Sequence, residues 1–140
     1  MVGKEIKYFQ SKYDVITGTG DKEVLKKARS IYNEIAKTTK RNPYVRSAYF
    51  DKEKVFLDIF WTHLFQKSAG ERIRRARYYE AAIDLIKHTK CDPKIIAVET
   101  EIRYRFYGKT MLDKEFIVQI KRDKRNNKYH MSVFPPRHKK

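Results

Sequence analysis

Apolar residues recur at helical spacing in the first third of the chain. Within residues 22–37 they stand three and four positions apart, so they share one face of a helix. Asp21 stands where a carboxylate can accept hydrogen bonds from the first free backbone N–H groups. We therefore predict an amphipathic helix within residues 21–40, which Asn42-Pro43 ends.

A hairpin and a second helix are predicted next. Residues 44–50 and 55–60 are rich in β-formers and are separated by a charged, turn-like segment. Ser68 and Glu71 then have the spacing of a capping box, which predicts a helix that runs to about His88.

The last third changes to a period of two, which is typical of strands with one apolar and one charged face. One long strand is predicted within residues 96–107, a second within 116–121 and a third within 129–134. The predicted fold class is α+β, with N-terminal helices packed on one face of an antiparallel β-sheet.

The length of 140 residues indicates one domain, and a hydrophobic fraction of 41% is sufficient for a core. We predict three parts: residues 1–20 as a loosely ordered arm, residues 21–40 as the helix, and residues 44–140 as the α+β core.

Charge narrows the choice of partner. The chain has 33 Lys and Arg against 17 Asp and Glu, a net charge of +16. Such an excess attracts phosphates and gains free energy by releasing their counterions, so nucleic acid is the first candidate. An anionic membrane is disfavoured because no helix has a spare apolar face. An inert basic surface and an acidic protein partner remain as alternatives.

The chain shows no signature of export or of a metal centre. Cys91 is a single cysteine, so it has no partner for an internal disulfide or a thiolate metal site. The first ten residues lack the apolar core of a secretory signal. We expect a cytoplasmic protein without metal or organic cofactor, and the oligomeric state stays open.

Strand alternation predicts which polar side chains share a surface. The apolar positions of the last strand suit the core, which would send His130 and Ser132 to the opposite face. The same argument exposes Arg103 and Arg105 on the long strand. One face of the sheet should therefore carry basic, imidazole and hydroxyl groups together.

The capped helix adds further candidates. At about 100° per residue, Arg72 lies on the apolar stripe of this helix, whereas Arg74 and Arg77 point away from it. His63 and Lys67 immediately precede the helix. Metal-free RNA cleavage needs an acid/base group that titrates near neutral pH and cations that hold a phosphate, and these residues would supply both.

Each candidate also has an ordinary structural interpretation. His63 can equally be a partly buried residue that the backbone satisfies. Lys67 and the basic run 72–77 are most often a solvated helix face. His130 and Ser132 can be exposed strand residues without a role. Arg103 and Arg105 can pair with Glu99 and Glu101 across the sheet.

Several motifs follow one another from Lys54 to the C-terminus. They are the strand Val55-Phe56-Leu57-Asp58-Ile59 leading to His63 and Lys67, a helix ending in Asp92-Pro93-Lys94-Ile95, the strand bearing Arg103 and Tyr104, and Tyr129-His130-Met131-Ser132-Val133-Phe134-Pro135. This order resembles the metal-independent ribonucleases that group barnase, colicin D and RelE-type toxins, often called BECR nucleases. In phage-associated members a His before the helix and a Ser or Thr near the end recur, and these map onto His63 and Ser132. Many members have a second His or a Lys-His pair where this chain has Gln66-Lys67.

The resemblance implies cleavage of RNA by the ribose 2′-hydroxyl, which leaves a cyclic phosphate, in a toxin or mobile-element setting. We assign proton transfer to His63, with His130 in reserve, and orientation of a phosphate oxygen to Ser132. The expected phosphate contacts are Lys67, Arg72 and Arg103, and the wider nucleic-acid contacts are Arg74, Arg75, Arg77, Arg105 and Lys121. An acidic antitoxin or immunity protein would cover the basic cleft. The alternatives are a non-catalytic RNA- or DNA-binding module and a basic structural protein.

Overall fold

The structure, a computed structural model, describes residues 5–136. It contains seven strands and four helices in that range. In chain order they are β1 (Tyr8–Gln10), α1 (Asp21–Thr38), β2 (Tyr44–Ser47), β3 (Glu53–Phe56), α2 (Asp58–Phe65), α3 (Ala69–Ala76), α4 (Tyr79–His88), β4 (Lys94–Val98), β5 (Glu101–Lys109), β6 (Glu115–Arg122) and β7 (Lys128–Phe134). The strands form one curled, mixed sheet, a half-barrel, in the order β1-β5-β6-β7-β3-β2, with β4 also paired to β5.

The predicted fold class, N-terminal helices packed on one face of an antiparallel sheet, is wrong. The sheet is mixed, because β1 pairs with β5 and β3 pairs with β7 in parallel. The helices are also spread along the chain, with one before β2 and three between β3 and β4. Alternation along a strand specifies its two faces but not its partner or direction, so these long-range parallel pairs leave no local pattern.

Residues 5–20 differ from the loosely ordered arm predicted for residues 1–20; residues 1–4 lie outside the described range. Besides contributing β1, this segment is fixed to α4 by Ser11, which is 2% exposed. The Ser11 hydroxyl donates to Asp84 Oδ2 at 2.8 Å, and the Lys12 backbone N–H donates to the same oxygen at 3.2 Å. Arg77 adds a hydrogen bond of 2.8 Å to the carbonyl of the buried Ile16.

The helix predicted within residues 21–40 is confirmed as α1. Gly20, rather than Asp21, is the residue that precedes its first turn. The Ser68 cap is also confirmed, since its hydroxyl accepts from the Glu71 backbone N–H at 3.3 Å. The predicted helix from Ser68 to about His88, however, is interrupted after Ala76 and forms α3 and α4. The second half turns inward, and six consecutive residues of α4, 81–86, are buried.

The predicted hairpin is confirmed as β2 and β3, although its second strand ends at Phe56 because α2 begins two residues later. The single strand predicted within residues 96–107 is wrong, since the chain folds back and Val98 pairs with Glu101. This turn has the sequence Glu99-Thr100, without the Gly, Pro or Asn that usually indicates a hairpin. Strands β6 and β7 lie where they were predicted.

A β-bulge changes which side chains of β7 point into the core. Gln119 pairs with Ser132 and Ile120 pairs with His130, so Met131 is an extra residue on β7. His130 therefore faces the core with no exposed surface, although simple alternation placed it on the open face. Ser132 lies opposite Gln119, beyond the bulge, on the other face of the sheet.

The Asp84 carboxylate provides a test of how firmly residues 5–20 are held. Asp84→Ala leaves the buried Ser11 hydroxyl and the Lys12 N–H without their acceptor. We expect the free energy of unfolding, measured by urea denaturation, to fall by about 1–3 kcal/mol. Glu34→Ala, which removes an acid paired only with Lys37 at the exposed surface, is the control and should leave stability unchanged. Equal stability of both variants would contradict the role given to Asp84.

Candidate nucleic-acid cleavage site

A cavity of about 240 Å³, here called the basic cavity, lies where α2 and α3 meet the sheet. Its lining residues are Phe60, His63, Leu64, Lys67, Arg75, Arg105, Gln119, Met131, Ser132 and Phe134. Three of the predicted catalytic residues, His63, Lys67 and Ser132, therefore lie around one space. None of the described residues that line it carries a carboxylate, so the cations face an opening suited to an anion.

His63 contributes an imidazole to the lining of the basic cavity. It lies in the last turn of α2, which begins directly after β3 and packs against β7. Partial burial lowers the pKa of His63, and the nearby positive charges of Lys121, Lys67 and Arg103 lower it further, against a smaller opposing effect of Glu101. The imidazole is therefore mainly neutral at pH 7 and can accept a proton.

Arg105, Gln119 and Ser132 form one row across three strands of the sheet, and each lines the basic cavity. Arg105 Nε donates to Gln119 Oε1 at 2.9 Å, and Gln119 Nε2 lies 3.6 Å from Met131 Sδ. The amide is thus held on both sides and fixes the Arg105 guanidinium. Gln119 was not among the residues predicted from the sequence, although a lone amide between the apolar residues of β6 was a usable signal.

Arg75 reaches the basic cavity from α3. Its Nε donates to Glu71 Oε1 at 3.0 Å, and its guanidinium carbon lies 5.3 Å from the centre of the Phe134 ring. The hydrogen bond from Arg75 is the main cause of a lowered pKa of Glu71, so this acid is charged near neutrality. Glu71 accepts from Arg74 as well, at 2.9 Å, which holds Arg74 on the exposed side of the helix.

Arg72 and Arg77 do not line the basic cavity, because backbone carbonyls hold their guanidinium groups elsewhere. Arg72 Nη2 donates to the carbonyl of Lys67 at 3.1 Å, and its guanidinium lies 5.2 Å from the centre of the Phe65 ring. Arg72 therefore fixes the connection between α2 and α3, which carries Lys67. Arg77 is held by the carbonyls of Ile16 and Gly18.

Arg103 and Lys121 lie beside the basic cavity and not in its lining. They are directly paired residues of β5 and β6. Arg103 Nε also donates to Glu101 Oε2 at 2.6 Å, as the structural interpretation of this arginine predicted. Their positive charges nevertheless act on His63, as its lowered pKa shows.

His130, the reserve acid/base group, cannot take part in surface chemistry because it is sealed in the core. Its ring stacks on Phe60 with centroids 4.8 Å apart and planes 10° apart. Neither ring nitrogen has a hydrogen-bond partner among the described residues. Burial lowers the pKa of His130 to about 3, so it is neutral at physiological pH.

Comparisons with protein-family models, curated proteins and solved structures found no match to this chain. The resemblance to BECR nucleases therefore stays a prediction.

Within residues 5–136, no group of three or more His, Cys, Asp or Glu side chains is arranged to hold a metal ion. The helices in the same range are all too short or too polar to cross a membrane.

The sealed position of His130 predicts a pH dependence of stability. The unfolded chain takes up a proton on this imidazole below about pH 6.5, whereas the folded chain does so only near pH 3. The unfolded state therefore binds more protons between these values, and stability falls as the pH is lowered from 6.5. We expect His130→Leu to flatten this fall in urea denaturation between pH 6.5 and pH 5. Equal slopes for the two proteins would contradict the burial of the imidazole.

Proposed function

We propose that the protein is an endoribonuclease that cleaves RNA without a metal ion. The observation that carries the proposal is the convergence of His63, Lys67 and Ser132, from two distant parts of the chain, on one basic cavity. Arg75 and Arg105 line the same cavity, so a phosphate within it would meet three cationic side chains. An imidazole, a hydroxyl and fixed cations are the groups that this chemistry requires.

In this reaction the phosphorus atom exchanges its bond to the 5′-oxygen of the following nucleotide for a bond to the adjacent ribose 2′-oxygen. Neutral His63 takes the proton of the ribose 2′-hydroxyl, whose oxygen forms a bond to the adjacent phosphorus. The bond from phosphorus to the 5′-oxygen breaks, which leaves a 2′,3′-cyclic phosphate and a 5′-hydroxyl. The departing oxygen must receive a proton, and the Lys67 ammonium, which lines the same cavity, can donate it.

The remaining cavity residues stabilise the charge that develops on the phosphate oxygens. Arg105, held by Gln119, and Arg75, held by Glu71, present guanidinium groups whose positions are set before substrate binds. Such preorganised donors lower the barrier because they need little reorganisation during the reaction. The Ser132 hydroxyl would donate a hydrogen bond to an oxygen of the same phosphate and so orient it.

We further propose that the activity is cytoplasmic and is held in check by an acidic antitoxin or immunity protein. A net charge of +16 and a cavity lined by three cations favour an acidic partner that covers the opening. The free thiol of Cys91 suits a reducing compartment.

His63→Gln tests the proposal directly. We expect the wild-type protein to cleave single-stranded RNA in the presence of EDTA. The variant should cleave it at least about 100-fold more slowly, because the acceptor of the 2′-hydroxyl proton is lost. The measurement is the initial rate on a labelled oligonucleotide. His88→Gln is the matched control, because His88 lies at the end of α4 and does not line the basic cavity.

The same experiment separates catalysis from simple binding. If wild-type protein binds RNA but leaves every RNA intact, the protein is the non-catalytic binding module that the sequence also permits. If cleavage occurs and both histidine variants retain it, the assignment of His63 is wrong.

The charges around His63 predict the acid limb of the pH profile. Because burial and the neighbouring cations lower the pKa of His63, kcat/KM should stay high below pH 6.5 and fall only at more acidic pH. Lys121→Gln removes one of these cations and should move the acid limb to higher pH. An unchanged limb in Lys121→Gln would show that a group other than His63 titrates in the profile.

A further inference from the structure

Five side chains form a continuous row across the face of the sheet that bears the basic cavity. The strand register pairs Tyr44 with Phe56, Phe56 with Tyr129, Tyr129 with Lys121, and Lys121 with Arg103. Directly paired residues point to the same face of a sheet, so these side chains share one surface. We call this set the aromatic–cationic row.

The three rings of the row contact one another and remain partly exposed. The centroids of Tyr44 and Phe56 are 6.2 Å apart, and those of Phe56 and Tyr129 are 5.8 Å apart. Tyr129 is further fixed by its hydroxyl, which donates to Asp123 Oδ2 at 3.3 Å. The rings thus form a surface of fixed shape with one side available to solvent.

Cationic groups accompany the rings at both ends. Lys54 Nζ lies 4.6 Å from the centre of the Tyr44 ring, and Arg46 lies on the same ring at 5.5 Å. Lys121 Nζ lies 5.7 Å from the centre of the Tyr129 ring. Lys54 and Arg46 are exposed, and the described residues include no ion pair to a carboxylate for either. They are therefore available to a mobile polyanion.

The row leads directly to the basic cavity. Arg103 and Arg105 are two residues apart on β5, and Lys121 and Gln119 are two residues apart on β6, so the row and the cavity occupy neighbouring positions on the same face. A chain that crosses the row from Tyr44 to Arg103 passes four strand spacings, about 19 Å at about 4.8 Å each. This length accommodates a few nucleotides.

From this arrangement we propose that the aromatic–cationic row binds the unpaired nucleotides that flank the scissile phosphate, with bases on the rings and phosphates on the cations. The ligand class is single-stranded RNA, because bases stacked within a duplex do not present their faces to side chains. This inference rests on the proposed function and assigns its substrate class. It gives Tyr44, Phe56 and Tyr129 a binding role, not a catalytic one.

The test uses variants that keep an apolar side chain but remove the ring. Tyr129→Leu and Tyr44→Leu should each weaken the binding of a 2′-O-methyl RNA single strand of about 12 nucleotides by about tenfold, because base stacking on an aromatic ring is lost. Fluorescence anisotropy of the labelled strand measures the affinity, and 2′-O-methylation prevents cleavage. Tyr8→Leu is the matched control, since Tyr8 also has a cation above its ring, Lys109 at 4.7 Å, but lies on β1.

A second variant protects the test against loss of folding. Lys54→Gln changes an exposed residue and should weaken the 12-nucleotide strand by a few-fold while reducing the dependence of the affinity on salt. If neither Tyr44→Leu nor Lys54→Gln changes the affinity beyond the control, the row is not a binding surface. Equal affinity of wild type for a blunt RNA duplex and the single strand would also overturn the inference.

Kinetics on short and long substrates separate this inference from the proposed function. In Tyr129→Leu, KM for a long RNA should rise about tenfold, whereas KM for a dinucleotide should rise much less, because a dinucleotide reaches only the basic cavity. If RNA is cleaved but KM is unchanged in every row variant, the binding role of the aromatic–cationic row is wrong and the nuclease proposal stands. Absence of cleavage together with weakened binding in the row variants would overturn the nuclease proposal and leave the row as a binding surface.

Discussion

The β-bulge at Met131 determines which side chains of β7 reach the core and which reach the basic cavity. The extra residue lets His130 pack on Phe60 inside the protein while Ser132 lies beside Gln119 on the opposite face. The bulge therefore links the packing of the core to the composition of the site. The buried, stacked imidazole of His130 on one side of the sheet and the half-buried hydroxyl of Ser132 on the other depend on the same local irregularity.

The second constraint is electrostatic. Lys67, Arg75 and Arg105 line a space in which the described residues place no carboxylate, and the acids nearby hold arginines in position without entering it. This positively charged lining has two consequences. It favours the binding of an anion, and Lys67, together with Lys121 and Arg103 beside the cavity, adds to the effect of burial in lowering the pKa of His63.

The site and the aromatic–cationic row are parts of one surface, because neighbouring rows of a sheet present their side chains in parallel. A phosphate bound near Arg105 and a base stacked on Tyr129 would belong to the same strand of nucleic acid. The parallel pairing of β3 with β7 is what joins the rings of the hairpin to the cavity. Without that pairing the rings of Tyr44 and Phe56 would not continue the row of Tyr129 and Lys121.

Local patterns in the sequence were enough to predict α1, the Ser68 cap, the hairpin of β2 and β3, and strands β6 and β7, because each depends on hydrogen bonds and apolar spacing within a short segment. His63, Lys67 and Ser132 were also singled out by their residue types and order. Only the tertiary structure decided that the sheet is mixed, that β4 folds back on β5, that His130 is buried, and that Arg105 and Gln119, not Arg72, complete the cavity. These features depend on contacts between segments far apart in the chain, and a periodic pattern carries no information on partner, direction or an inserted residue.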